Sequence, residues 1–207
     1  MLNVAVLVSG GGTNLQALLD AQQKGELHNG RIACVISSKE GAYALTRAHN
    51  AGVPAEVLAK RGRTQEEYDH ALLQLLEQYH IDLVVLAGFL TILSESIIRA
   101  YPNRIINVHP SLIPSFCGKG YYGLKVHEAA LQYGVKLTGA TVHFVNEIAD
   151  GGAIILQKAA PVLPNDTPET LQRRVMEQCE WELLPKAVSL FCEGKLSVCG
   201  NQVTIKE

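Results

Sequence analysis

The sequence predicts an α/β protein with a mostly parallel, doubly wound sheet and helices on both faces. Short apolar runs of strand length recur in the first half of the chain, beginning with Asn3–Val8. Helix signals separate these runs, and such alternation is typical of a parallel sheet. Polar or glycine-rich segments follow three strand ends, at Gly10–Thr13, Gly88–Leu93 and Asn107–Ser111. We expect these segments to converge on one crevice beyond the carboxyl ends of the strands.

Two capping-box patterns mark helices in the first half. Thr13-Asn14-Leu15-Gln16 predicts a helix to about Lys24, and Thr64-Gln65-Glu66-Glu67 predicts a second helix with a leucine-rich buried side. The remaining elements predicted here are strands at Arg31–Ile36, Pro54–Leu58, Leu83–Ala87 and Arg104–Val108, and helices at Ala42–Ala51 and Ser94–Tyr101.

The second half contains a glycine-rich loop, fewer helices and longer strands. Asp166-Thr167-Pro168 combines a polar cap with a proline at the first helical position, and predicts a helix toward Phe191. Pro185 lies inside that helix and predicts a kink or break there. The other predictions are a loop at Ser115–Gly123, a helix at Val126–Gln132, strands at Thr138–Val145 and Ala153–Val162, and a hairpin within Gly194–Glu207 that turns at Gly200-Asn201.

Composition indicates an ordinary globular protein. The 207 residues suit one large domain, with 47% apolar and 18% charged residues. A formal charge of −2 gives no basic footprint for nucleic acid, and no apolar run is long enough for a membrane span. Five widely spaced cysteines without a C-x-x-C pattern favour a reducing, cytoplasmic location.

The loop Ser9–Asn14 joins the first strand to the first helix and contains three consecutive glycines. Glycines allow close backbone approach, and a helix N-terminus offers free N–H groups, so a phosphate is a natural ligand; a plain tight turn is the alternative. Leu15 occupies the third glycine position of the dinucleotide-binding pattern, and Ser37-Ser38 ends the second strand without an acidic residue for a ribose. The loop therefore suits a single phosphate better than NAD or ATP.

Asn107, His109 and Asp150 supply an amide, an imidazole and a carboxylate, which together suit acyl transfer to an amine. The amide donates to a developing oxyanion, the imidazole manages a proton, and the carboxylate sets the charge of the imidazole. Asn107 and His109 point the same way on an extended strand, whereas Asp150 reaches them only through the fold. We expect Asp150 to keep His109 cationic near neutral pH, although the reference pKa of histidine is about 6.5.

The chain resembles the glycinamide ribonucleotide formyltransferase family, which uses 10-formyltetrahydrofolate in purine synthesis. The segments that carry this resemblance are VLVSGGGTNLQALLD, LAGFLTILS, INVHPSLIPSF, VHEAAL, TGATVHFVNEIADGGAII and LLPKAV. It implies a Rossmann-like formyltransferase fold in a single domain, 1–207. Within it, residues 1–108 would form the phosphate-binding half and residues 109–207 would complete the folate and catalytic site.

The resemblance also assigns roles to residues. It implies catalysis by Asn107, His109 and Asp150. The ribonucleotide phosphate would be held by Gly12, Thr13 and Asn14, with Glu180 at the far side of that pocket. The folate would be contacted by Gln65, Leu90, Thr91, Ile92, Leu93 and Asn107, and flanked by residues 145–149. No metal is expected, because the N10 substituent already activates the formyl group. The implied partners are the two small molecules, without nucleic acid or membrane, and the chain is expected to be a monomer or a homodimer.

Four features depart from the family pattern. Gln65 stands where many members carry an arginine, and Thr91 replaces an arginine common in the folate segment. The loop after His109 is longer and reads CGKGYYG. One extra residue lies between Val175 and Glu180, so the role of Glu180 rests on its spacing to Pro185. The changes at Gln65, at Thr91 and in the loop bear on donor affinity or loop closure, and the expected reaction stays the same.

Other functions stay open on sequence grounds. A deformylase acting on the same folate would carry an additional N-terminal domain, and transformylases acting on tRNA or sugar nucleotides an additional C-terminal one. A non-catalytic phosphate sensor would bind without turnover. Because the chain begins at the catalytic strand and ends shortly after the last helix, we favour the transferase. His143 is interpreted as structural, while His127 is equally compatible with a substrate contact and with a structural role.

Overall fold

The computed structural model describes residues 1–206. Its strands are β1 Leu2–Val8, β2 Gly30–Ser37, β3 Ala55–Val57, β4 Leu83–Leu86, β5 Ile105–His109, β6 Leu137–Phe144, β7 Ile154–Pro161, β8 Leu196–Cys199 and β9 Gln202–Ile205. Its α-helices are α1 Thr13–Gln23, α2 Tyr43–Asn50, α3 Gln65–Gln78, α4 Glu95–Ala100, α5 Leu124–Tyr133, α6 Pro168–Val175 and α7 Trp181–Cys192. A π-helical turn, Met176–Glu180, joins α6 to α7.

Seven strands form one sheet in the order β3-β2-β1-β4-β5-β6-β7. The first five strands are parallel, while β6 and β7 are added antiparallel. The predicted mostly parallel, doubly wound sheet is therefore confirmed. The order reverses between β1 and β4, where the connections diverge and leave a crevice at the carboxyl ends of the strands.

Helices cover both faces of the sheet, as predicted. On one face α1, α2, α5, α6 and α7 bury side chains such as Leu15, Ala44 and Val188 against the strands. On the other face α3 and α4 contribute Tyr68, Leu72 and Ile97 to a second core cluster. Parallel strands covered on both sides have to be apolar throughout, and β1 is accordingly buried from Val4 to Val8. In residues 1–206, every helix is too short or too polar to serve as a membrane span.

One of the two predicted capping boxes is correct. The Thr64 hydroxyl accepts from the Glu67 N–H, and the Glu67 carboxylate accepts from the Thr64 N–H. The prediction at Thr13 is wrong, because Gly12 is the N-cap residue of α1 and provides no side-chain cap. The Gln16 side chain instead donates to Asp20 and accepts from Arg47.

Of the kink or break predicted at Pro185, the break does not occur. The helix α7 continues through Pro185, and the irregular backbone lies just before it, in the π turn Met176–Glu180. A π turn accommodates one residue more than an α turn, and it lies where the chain has its extra residue. The predicted hairpin forms as β8 and β9 around Gly200. The last residue of its predicted range, Glu207, lies outside the described residues.

Candidate active site

The strand β5 presents Asn107 and His109 at the carboxyl end of the sheet. It pairs in parallel with β4 and antiparallel with β6, which places Asn107 opposite His143 and His109 opposite Thr141. Because both residues lie on one strand two positions apart, their side chains share one side of it. His109 is only 4% exposed, so its ring is held by protein atoms rather than by water.

Asp150 joins these residues from the loop between β6 and β7. It has the left-handed backbone angle φ 55°, which Asp tolerates better than most residues. Its Oδ2 accepts from the Gly118 N–H at 2.8 Å and lies 3.6 Å from Nδ1 of His109. The loop returns so tightly that a Cβ on Gly152 would lie 1.8 Å from the Phe144 carbonyl oxygen. The structure thus brings together the three residues singled out in the sequence.

His143 is a fourth member of this cluster, and the sequence interpretation missed it. Its Nδ1–H donates to the Phe144 carbonyl at 2.7 Å, so Nε2 accepts from the Asn107 amide at 3.1 Å. The same Nε2 lies 3.6 Å from Oδ1 of Asp150. Since an amide has two N–H groups, the second N–H of Asn107 is available to a ligand. The alternation of β6 gave two possible sides for His143, and only its pairing with β5 decides between them.

The Phe116 carbonyl is the second partner of His109. It lies 2.8 Å from Nε2, and because a carbonyl only accepts, Nε2 carries a proton. Burial lowers the pKa of His109 below its usual 6.5, and this effect exceeds the opposing effects of the Asp150 charge and the Phe116 carbonyl. The expectation that Asp150 keeps His109 cationic near neutral pH is therefore wrong for the free protein. Desolvation of the ring outweighs the nearby carboxylate.

Asp150 is ionised at neutral pH. Burial alone would raise the pKa of Asp150, but the neighbouring His143 and His109 rings and the hydrogen bond from the Gly118 N–H lower it below its usual value. His127, by contrast, is fully buried, and burial together with His109 lowers its pKa to about 4. A side chain without exposed surface does not contact a substrate in this conformation, which favours the structural alternative for His127.

The glycine loop ends at an uncapped helix. Gly12 is the N-cap of α1 with φ 72°, and no side chain caps the first turn, so its N–H groups are free for an anion. Next to it, the Asn14 amide donates to the Glu180 carboxylate at 2.6 Å. Burial raises the pKa of Glu180 to about 7, partly offset by Asn14. Thr13 donates to the Met176 sulfur at 3.8 Å. Gly12, Thr13, Asn14 and Glu180 therefore lie together, as the sequence interpretation required.

The segment after β4 presents unpaired apolar surface. Leu90 and Ile92 are 56% and 80% exposed, while Leu93 is buried and Thr91 is half-buried. Ser9 accepts from the Leu90 N–H at 2.9 Å, which ties this segment to the start of the glycine loop. Two of the three strand-end segments are thus in direct contact. The third segment, Asn107–Ser111, lies beside them because its strand β5 is the neighbour of β4 in the sheet.

Gln65 belongs to a polar network at the start of α3. Its amide donates to Asp69 at 2.7 Å and accepts from Lys60 at 2.6 Å. Asp69 also accepts from Ser94 and from Ser96, at the start of α4. Hydrogen bonding from these side chains outweighs burial and lowers the pKa of Asp69. Lys60 and Asp69 therefore hold the Gln65 side chain, and Asp69 links it to Ser94, which follows Leu93.

A cavity lies away from the cluster of Asn107, His109 and Asp150. It has a volume of about 750 Å³ between α1 and α7, and its lining includes Thr13 and His28 but none of Asn107, His109 and Asp150. Within residues 1–206, no group of three His, Cys, Asp or Glu side chains is arranged to hold a metal ion.

Known proteins resemble this chain over its full length. The formyl transferase family matches residues 2–188. Phosphoribosylglycinamide formyltransferase of Haemophilus influenzae is 41% identical over 97% of this chain and 92% of its own length. Glycinamide ribonucleotide transformylase 1 from Symbiobacterium toebii has a TM-score of 0.93 and 44% identity, over 100% of this chain and 95% of that one.

A formyltetrahydrofolate deformylase from Pseudomonas syringae shares the architecture at lower identity. Its TM-score is 0.89 at 28% identity, and all of this chain matches 66% of that one. The chain belongs to the formyl transferase family.

Proposed function

We propose that this protein transfers the formyl group of 10-formyltetrahydrofolate to the primary amine of glycinamide ribonucleotide, a step of de novo purine biosynthesis. The observation that carries the proposal is the meeting of Asn107, His109 and Asp150 at the end of β5, in a chain similar to known enzymes of this reaction. An uncapped helix N-terminus beside this cluster supports a phosphate-bearing acceptor.

The acceptor amine attacks the formyl carbon on N10, and the carbonyl oxygen becomes negative as the C–N bond forms. The free N–H of Asn107 and the Nε2–H of His109 donate to this oxygen, and a donor of this kind is worth about 3–4 kcal/mol in the transition state. For His109 to do so, the oxygen has to take the place of the Phe116 carbonyl at Nε2.

The charge on His109 develops during the reaction. In the free site the lone pair of Nδ1 faces the Asp150 carboxylate at 3.6 Å, and burial keeps the ring neutral. A negative oxygen at Nε2 adds a second charge that favours protonation of Nδ1, so Asp150 and the oxyanion together offset the cost of burial. This stabilisation arises only as the oxyanion forms, and it therefore lowers the barrier rather than strengthening substrate binding.

The reaction is completed by moving one proton. The attacking amine becomes cationic, and N10 needs a proton to leave when its bond to the formyl carbon breaks. The ammonium gives up one proton through a water molecule to Nδ1 of His109, where the ionised Asp150 carboxylate stabilises the charge, and the same proton returns to N10 as its bond to the formyl carbon breaks. Formylated amine and tetrahydrofolate are then the two products, and no further reactant is consumed.

The binding roles extend from the same geometry. Gly12, Thr13 and Asn14 would hold the phosphate, with Glu180, which accepts from Asn14, in the same pocket. The exposed side chains of Leu90 and Ile92 offer apolar surface to the folate, with Thr91, Leu93 and Asn107 beside them. Gln65 would reach the folate only by releasing Lys60 or Asp69.

Further expectations belong to the same proposal. The halves 1–108 and 109–207 would act as one formyltransferase domain, without a metal ion. Both partners would be small molecules, with no role for nucleic acid or a membrane. The protein would work in the cytoplasm as a monomer or homodimer, and its five cysteines are free thiols.

Absorbance-monitored turnover of 10-formyltetrahydrofolate tests this proposal. The folate should be consumed only when glycinamide ribonucleotide is added, and formylated ribonucleotide should form in equal amount. Consumption in water alone would instead support a deformylase, and formylation of charged initiator tRNA would support a different acceptor. Tight ribonucleotide binding without turnover would support a sensor.

A further inference from the structure

The helix α2 lies directly behind the glycine loop. Its Ala44 packs so closely that a Cβ on Gly12 would lie 2.7 Å from the Ala44 Cβ. Two successive carbonyl groups of the loop accept hydrogen bonds from α2: Gly10 from the Ala44 N–H at 3.1 Å, and Gly11 from Nε of Arg47 at 2.8 Å. The conformation of the loop is therefore fixed by contacts with this helix.

These two hydrogen bonds determine where the loop directs its own N–H groups. In a planar trans peptide the carbonyl oxygen and the next N–H point in opposite directions. Holding the Gly10 and Gly11 carbonyls toward α2 therefore turns the N–H groups of Gly11 and Gly12 away from α2. Within residues 1–206 neither N–H donates to a protein acceptor. The loop thus presents two free N–H groups next to the uncapped first turn of α1.

Arg47 also places a positive charge next to the glycine loop. Its guanidinium is held by the Gln16 side chain at 2.9 Å and lies 5.0 Å from the centre of the Tyr43 ring. None of the ion pairs between residues 1 and 206 includes Arg47. Its charge is therefore not neutralised by a carboxylate partner and adds to the attraction of the loop for an anion.

We propose that Arg47 is a positioning residue for the phosphate of the ribonucleotide. It orients the Gly11–Gly12 peptide so that the Gly12 N–H faces the phosphate, and its charge favours the bound dianion. This inference rests on the proposed function, since it concerns the acceptor half of the same site. Sequence patterns did not single out Arg47, because α2 and the glycine loop are separate segments that only the fold brings together.

Steady-state kinetics of Arg47→Gln and Arg47→Lys test the proposal. For Arg47→Gln, the KM for glycinamide ribonucleotide should rise about 10-fold to 100-fold, as expected for a lost charge-assisted contact, while kcat and the KM for the folate stay within about twofold. Arg47→Lys keeps the charge but not the planar fork, so its KM should lie between those of wild type and Arg47→Gln. Thermal unfolding of each variant checks that the fold is retained.

Arg104→Gln is the matched control. Arg104 likewise donates to one carbonyl, that of Ala100 at 3.2 Å, and lies 4.9 Å from the centre of a tyrosine ring, but it precedes β5 at the opposite end of the sheet. Its KM values should match those of wild type. An unchanged ribonucleotide KM in Arg47→Gln, an equal rise in Arg104→Gln, or an equal rise in the KM for the folate would each overturn the proposal.

Binding of ribose 5-phosphate separates this inference from the proposed function. If wild type binds ribose 5-phosphate and Arg47→Gln binds it at least about 10-fold more weakly, the positioning role stands even without turnover. Equal binding by both proteins overturns the role of Arg47. A wild-type protein that does not formylate glycinamide ribonucleotide overturns the proposed function instead.

Discussion

Replacing Asp150 by Asn tests how the carboxylate acts on His109. Asn keeps the size of the side chain, can accept from the Gly118 N–H, and tolerates the left-handed backbone at this position. The substitution therefore removes the negative charge with little change in geometry. We expect kcat to fall strongly, because the protonated form of His109 in the transition state loses its nearest opposite charge.

The distance between the two groups sets the size of the effect. Nδ1 of His109 and Oδ2 of Asp150 are 3.6 Å apart, and both side chains are largely buried. At an effective dielectric constant of about 20, full charges at this distance attract by about 5 kcal/mol. Charge on the ring develops only partly in the transition state, so we expect a loss of about 3 kcal/mol, or a decrease in kcat of about 100-fold.

The measurement is kcat as a function of pH, for wild type, Asp150→Asn, His109→Asn and the double variant. If Asp150 acts through His109, the double variant should be no slower than His109→Asn alone, because the two residues work as one unit. The KM for glycinamide ribonucleotide should change little in Asp150→Asn, since the carboxylate acts after binding.

Two results would refute this reasoning. The first is a kcat for Asp150→Asn within about twofold of wild type, which would mean that the charge is not used. The second is a double variant whose loss equals the product of the two single losses, which would mean that the residues act independently.

Three further predictions follow from the same contacts. The pKa of Glu180 is raised from 4.5 to about 7, so the folded protein keeps this proton to a higher pH than the unfolded chain does. The free energy of unfolding should therefore fall by at most about 3 kcal/mol as the pH rises from 4.5 to about 7. Glu180→Gln should flatten this decline in urea unfolding series, and an identical decline would disprove the assignment. Gly12→Ala should cost about 2–4 kcal/mol of stability, because the new Cβ would lie 2.7 Å from Ala44 and φ is 72°; a stable variant in urea unfolding would contradict the tight packing. His143→Phe removes the acceptor of Asn107, so kcat should fall about tenfold with little change in KM, and full turnover in the formyl transfer assay would show that His143 does not orient the amide.

Local signals in the sequence predicted most elements correctly. The apolar run of β1 and the Thr64 capping box depend on neighbouring residues only, and both appear as predicted. The pattern at Thr13 is formally the same, but there the preceding Gly12 adopts a left-handed conformation and begins the helix itself. At Pro185 the helix continues, and the irregular backbone lies in the π turn just before α7. Such outcomes depend on how the helix packs, which a local pattern does not contain.

In the proposed catalytic cluster, too, some features were predicted from the sequence and others depend on the fold. The sequence alone singled out Asn107, His109 and Asp150 as the proposed catalytic residues, since their residue types match the chemistry and their segments resemble one family. It did not indicate that His143 would accept from Asn107, because the alternation of a strand leaves two sides open. Nor did it give the charge state of His109, which is set by desolvation of a ring that is 4% exposed.

By itself, then, the sequence determined the strand and helix order, the doubly wound sheet and the residue types of the proposed reaction centre, because these follow from periodicity and from chemistry carried by short segments. Tertiary structure alone decided the contact between Asn14 and Glu180, which are 166 residues apart, and the support of the glycine loop by Arg47. It also decided which groups are ionised. The physical reason is that burial and hydrogen bonding between distant segments set protonation and orientation, and both are properties of the packed molecule rather than of any stretch of chain.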